Sequence, residues 1–276
     1  MDTKIQRILI LCKTYPSPSS RYTETSCVAG MTENGQLIRL FPVPFRIVSD
    51  EQQFKKWQWI SARVVHAHDD HRPESHRVFV DTIDCSEPPI PTAHAWAARR
   101  AEIDKLRVFD DFDALEQARI SDGVTLGVVR PSKIKQLRIT PVAAPDWTEN
   151  EKAKLLQEQN QDALFDNAEE KKALKLLKKL PFDFHYAYEC TSGEVTKTYI
   201  HKLVDWEAGA LYWNIHRTPD WQAGFRQKFE ADLPKQDLMF LMGTIHRFPN
   251  QWLIVSVLYP PRITQQDAAQ GSLFGP

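Results

Sequence analysis

An Asn34-Gly35 pair between two apolar-rich segments, residues 26–30 and 36–41, constrains this chain more than any other feature. Asn and Gly accept positive φ at little steric cost, and a tight hairpin between right-twisted strands requires such angles. The pair predicts an antiparallel hairpin near the N-terminus. Ahead of it, Ile8-Leu9-Ile10-Leu11 is an unbroken apolar run. The run is too short for a signal-peptide core or a membrane span and reads as a buried strand. Residues 57–67 and 75–83 are rich in β-branched and aromatic side chains and flank a charged loop, so they predict a second antiparallel pair.

Helical patterns follow at 93–106 and 112–120, and residues 132–139 read as a returning strand. From Lys152 to Leu180 the chain lacks Pro and Gly, and within it residues 169–179 place acids first and bases last, which matches the macrodipole of a helix ended by Pro181. Residues 182–190 alternate as a half-buried strand does. The stretches 205–216 and 220–231 fit helices opened by Asp205 and Asp220, and 238–242 with 252–259 fit a closing hairpin stopped by Pro260-Pro261. The expected fold class is α+β: a mainly antiparallel β domain with helices over 1–145, a helical connection over 146–180, a smaller α+β domain over 181–262, and a flexible tail over 263–276.

Lys and Arg number 35 against 36 Asp and Glu, a net charge of −1, so the chain does not coat nucleic acid through bulk positive charge. Any polyanion site is local, and residues 1–46 are the most basic segment, with six basic and three acidic residues. The four cysteines, Cys12, Cys27, Cys85 and Cys190, lack the close pairs of zinc ribbons or thioredoxin-like sites. Reduced thiols in a cytoplasmic protein, with no membrane association, are the expectation.

The tail finishes Gln270-Gly271-Ser272-Leu273-Phe274-Gly275-Pro276. Gln, two variable positions, then Leu-Phe resembles the motif by which bacterial polymerases, mismatch-repair proteins and other DNA-maintenance factors dock on the sliding clamp. The resemblance covers five residues and implies a partner, with Gln270 hydrogen-bonding in a small pocket and Leu273 and Phe274 filling an apolar cleft. Gln161-Asp162-Ala163-Leu164-Phe165 repeats the pattern inside the connection, where Leu164 and Phe165 also suit a helix core.

Three polar groups can carry chemistry. Between His66 and His76 lie four imidazoles and three carboxylates, suited to a transition metal. No familiar ligand spacing accompanies them, so no metal ligand is assigned, and a solvated hairpin loop with Asp70 paired to Arg72 is the simpler reading. The hydroxyl-rich stretch holding Arg21 and Tyr22, with Arg39 and Arg46, is the expected nucleic-acid surface: arginines for phosphates and a tyrosine to stack on a base. Cys190, His201, Asp205 and Glu207 supply the materials of a nucleophile, its base and an orienting acid, or carboxylates for a catalytic metal. Asp205-Trp206-Glu207 also reads simply as a helix start.

No catalytic signature is complete, and no cofactor is indicated. The leading expectation is a DNA-associated protein of replication-linked repair, modification or defence, recruited by its tail. The alternatives are a nucleotide- or nucleic-acid-processing hydrolase using the 190–207 group or the His66–His76 cluster, and a structural adaptor without a DNA role.

Overall fold

The computed structural model describes residues 3–15, 26–43, 53–146, 148–149 and 178–263. The Asn-Gly hairpin is present, joining β2 (Ser26–Thr32) to β3 (Leu37–Val43). Only Gly35 takes positive φ, at 77°, and the turn spans Glu33, Asn34 and Gly35, with Gly35 N–H donating to Thr32 O and Thr32 N–H to Gln36 O. The loop thus has three residues and a left-handed glycine, where the sequence reading placed positive angles at both residues of the pair.

The apolar run lies in β1 (Lys4–Lys13), which pairs with β2 on one side and with β4 (Trp59–His66) on the other. β5 (Ser75–Val78) runs antiparallel to β4 and parallel to β3, which closes a five-stranded barrel in the order β1-β2-β3-β5-β4. Five strands is also the strand number of OB-type barrels. Its interior holds Ile8, Ile10, Val28, Ile38, Leu40, Phe54, Ile60 and Val64.

The remaining strands build one seven-stranded sheet. They are β6 (Val108–Phe109), β7 (Leu126–Val129), β8 (Lys133–Pro141), β9 (Phe182–Ser192), β10 (Val195–Leu203), β11 (Met239–Ile245) and β12 (Phe248–Leu258), in the order β6-β7-β11-β12-β10-β9-β8. The expectation of a mainly antiparallel first domain with a smaller second one gives way to a barrel and a larger mixed sheet. Each contains parallel pairs: β3 with β5 in the barrel, β6 with β7 and β10 with β12 in the sheet. Residues 108–141, expected with the first part, hydrogen-bond into the second sheet through the β7–β11 and β8–β9 ladders. Strand pairing across many intervening residues leaves no local trace in sequence, which is why this grouping escaped the periodicity analysis. Of the helical connection expected over 146–180, residues 147 and 150–177, with the Leu164-Phe165 pair, lie outside the described residues.

Four α-helices complete the described part: α1 (Ala93–Ile103), α2 (Phe112–Asp122), α3 (Trp206–Ile215) and α4 (Trp221–Arg226). The last continues as a π-helical turn over Gln227–Asp232. α2 is capped by Asp111, which accepts from Asp113 N–H, and ends at Gly123 in the left-handed region. α1 opens with His94, Ala95 and Trp96 at φ of 51°, 51° and 66°, a left-handed turn that carries Trp96 against Trp57 and Tyr259. Arg99 lies over both the Trp57 and Trp96 rings. No helix among the described residues is long and apolar enough to cross a membrane.

The sheet is the middle layer. Along β7 and β11, Leu126, Val128, Met239 and Leu241 face the barrel, where they meet Leu9, Leu11, Ala29 and Met31. Val129, Phe240 and Met242 face the other way, toward Leu115 of α2, Tyr212 of α3 and Phe225 of α4. Strands covered on both faces are apolar throughout, as residues 238–242 are.

The hairpin turn is itself packed, because a Cβ built on Gly35 comes 2.3 Å from the Lys105 carbonyl oxygen just beyond α1. Gly35→Ala is therefore expected to lower stability by about 1–3 kcal/mol, from positive φ and steric overlap together. Urea unfolding checks this: a midpoint equal to that of the unchanged protein contradicts the packing described.

Candidate functional site

The outer face of β2 and β3, which OB barrels commonly use for oligonucleotides, is covered here. Ala29 and Met31 pack into the seam against the sheet. On β3, Arg39 is 3% exposed; its Nη2 donates to Glu74 Oε1 at 2.8 Å and to Thr125 O at 3.1 Å. Thr125 Oγ1 donates in turn to the Glu74 carboxylate at 2.6 Å. Arg39 is thus an internal cross-link between barrel and sheet, and its expected role in contacting nucleic acid is corrected: the covering sheet leaves no path to a phosphate. Arg21, Tyr22 and Arg46 lie outside the described residues, as do Gln270, Leu273 and Phe274.

The Cys190, His201, Asp205 and Glu207 group separates into two places. Cys190 on β9 and His201 on β10 lie beneath the start of α2, where the Phe112 ring is 4.5 Å from the imidazole and the Phe112 backbone hydrogen-bonds the thiol. Burial pushes the Cys190 thiol up to about 11, so it stays protonated near neutrality. Burial lowers His201 to about 4, and its Nδ1 is 3.0 Å from the Tyr188 hydroxyl. Cys190 is a core member and His201 a half-buried neighbour of that core, not an activated pair. Asp205 and Glu207 stand instead at the barrel seam. Asp205 caps α3 by accepting from Glu207 N–H at 2.7 Å and also accepts from Val257 N–H at 3.0 Å. Lys56 Nζ, reaching over from the barrel, donates to Glu207 Oε2 at 2.9 Å and lies 3.9 Å from Asp205 Oδ2. The helix-start reading describes these acids.

The His66–His76 loop connects β4 to β5 and rests on the β11–β12 turn. Asp70 and Arg72 pair as the simpler sequence reading expected, with Arg72 Nη2 donating to Asp70 Oδ2 at 2.6 Å and Arg72 Nη1 to Thr244 O at 2.9 Å. Although burial opposes it, these bonds hold the Asp70 carboxyl well below the usual carboxylate range. His246, from the β11–β12 turn, brings its Nδ1 to 3.1 Å from Asp70 Oδ1 and stacks on His71 with ring centroids 5.1 Å apart.

Sequence reasoning missed a cleft of about 410 Å³ beside the edge strand β8. Arg100, Arg130, Lys133 and Arg262 line it, with Asp237 as the one acid among the described lining residues, and Ile134, Leu238 and Ile263 give it apolar wall. Arg130 Nε donates to Asp237 Oδ1 at 3.1 Å. Arg100 places Nη1 3.8 Å from the same carboxylate, while its buried Nη2 has no hydrogen-bond partner among the described residues. One signal was present: Arg130, Lys133, Lys135 and Arg138 fall within nine residues without an acid among them. Only the fold adds Arg100 and Arg262, which come from α1 and from beyond β12.

Residues 108–276 match the family described as Domain of unknown function (DUF8757), and residues 4–105 match Domain of unknown function (DUF8758). The chain belongs to the DUF8757 family. The two matches meet between 105 and 108, where the chain passes from the barrel side to β6, the first strand of the sheet. No curated protein matches the chain.

The neutral His201 carries a pH dependence whose sign is fixed. Its folded value near 4 lies below the ordinary 6.5, so the unfolded chain takes up a proton first, and stability present above pH 6.5 is lost as pH falls toward 4. His201→Phe is expected to flatten this loss. Urea midpoints at pH 7 and pH 4.5, in the variant and the unchanged protein, measure it; equal slopes in both overturn the assignment.

Proposed function

We propose that this protein is a DNA-associated factor of replication-linked repair, modification or defence. It contacts a nucleic-acid backbone in the cationic cleft beside β8 and is recruited by its clamp-like tail. The cleft carries this reading: four cations against one carboxylate, with apolar wall, in a volume suited to a phosphodiester and the group attached to it. Arginine forks recognise phosphate oxygens well. A local cluster is what a chain of net charge −1 requires.

Gln270, Leu273 and Phe274 follow Ile263, a cleft-lining residue, by seven, ten and eleven positions in the sequence. Tail docking on a clamp encircling duplex DNA keeps the cleft close to that duplex, and a tether raises the effective concentration without added contacts.

Fluorescence anisotropy with labelled single-stranded and duplex DNA tests the cleft. Arg130→Ala with Lys133→Ala is expected to weaken binding about tenfold or more near 0.1 M salt and to reduce the salt slope by about two. Unchanged affinity and slope reject the cleft as the contact. Clamp pull-down tests the tail independently: Leu273→Ala with Phe274→Ala is expected to abolish capture, and capture that survives rejects this motif. Failure of both assays together with no turnover of DNA or RNA is what the structural-adaptor alternative expects.

A further inference from the structure

The loop between β4 and β5 and the turn between β11 and β12 are more than 170 positions apart in sequence, yet each delivers nitrogen ligands to one spot. Donor atoms of Asp70, His71 and His246 all lie within 4.8 Å of one another. We propose that Asp70, His71 and His246 form a site for a divalent transition cation of the zinc class, one that bridges barrel and sheet. Two imidazoles and a carboxylate are a donor set that such ions favour over magnesium or calcium, which take oxygen ligands.

The spacing fits. Bonds of roughly 2.0–2.2 Å at a tetrahedral angle put neighbouring donors roughly 3.4 Å apart. Asp70 Oδ1 and His246 Nδ1 are 3.1 Å apart. His71, an exposed side chain, closes the remainder by turning about its own side-chain torsions. The carboxylate is already oriented: Arg72 Nε donates to Asp70 Oδ1 at 2.9 Å, Arg72 Nη2 donates to Oδ2, and Arg72 is anchored to Thr244 O. Held carboxylates of this kind recur behind metal sites because they remove the entropy of aiming the ligand. Three protein ligands on an exposed edge leave the fourth position to water, the composition of an open site rather than a closed structural one. The site is separate from the neighbouring imidazoles His66, His68 and His76, whose rings gather around His66 at 5.6–6.0 Å.

The test uses tag-free full-length protein, with Co²⁺ and Zn²⁺ alone as probes. One equivalent of Co²⁺ is expected to produce visible d–d absorption that Zn²⁺ displaces, and His71→Ala and His246→Ala are each expected to weaken binding at least about tenfold. Both residues are exposed, so the fold survives their loss, and His66→Ala is expected to bind as the unchanged protein does. Thermal unfolding gives an independent readout, because an ion bound only by the folded state raises the melting temperature. That rise is expected in the unchanged protein and absent in the His71→Ala, His246→Ala double variant. The proposal is overturned by the lack of saturable binding up to about 1 mM metal, by binding that persists in the double variant, or by binding that depends on His66 instead.

Discussion

The structure depends on one strand being covered on both faces. Ile8 and Ile10 point into the barrel, while Leu9 and Leu11 point out of it against Leu126, Val128, Met239 and Leu241 of the sheet. All four are essentially inaccessible to water. A barrel strand ordinarily alternates between core and solvent, so an unbroken apolar run implies a second body against the outer face. Polar links fix the register of that contact. Cys12 Sγ donates to Val255 O, Ser256 Oγ donates to Leu11 O, and Tyr15 N–H donates to Val204 O. Burying a Leu or Ile side chain contributes roughly 1.5–3 kcal/mol each. This seam is accordingly a core in its own right rather than a loose contact between neighbours.

Buried charge gives the seam its specificity. Arg39 with Glu74, Arg72 with Asp70, and Lys56 with Asp205 each join a barrel side chain to a partner, and each set also bonds a backbone group or cap on the sheet side. Such pairs add little net stability over apolar substitutes, since desolvation opposes the Coulomb gain. They do penalise misregister strongly, because a shifted seam leaves a charge buried alone. The same contacts cover the outer face of β2 and β3.

Local patterns were legible wherever one segment supplies its own instructions. Asn34-Gly35 marked the hairpin, Asp205 marked the start of α3, and Pro260-Pro261 marked the end of β12, each through backbone angles or capping that neighbouring residues cannot change. β10 was missed because Val195–Leu203 is an exposed, mostly polar strand, held by β9 more than by any apolar pattern. The left-handed start of α1 was invisible for a different reason: it accompanies the edge-on contact of Trp96 with Trp57, its tilted contact with Tyr259 and the seating of Arg99 over both Trp rings, and the stretch around His94 has no glycine to announce it.

Sequence alone determined the mixed α and β character, the β2–β3, β4–β5 and β11–β12 pairs, most helix starts, the Asp70–Arg72 pair and the absence of a bulk positive charge. All of these follow from composition or from interactions a few residues long. Tertiary structure alone decided which strands share a sheet, that Arg39 is internal, that Cys190 and Asp205 stand apart, and that His246 meets Asp70 while Arg100 and Arg262 meet Arg130. Those outcomes depend on which apolar faces find each other across the fold, and burial energy is non-directional: it shows which residues must be covered but not by what.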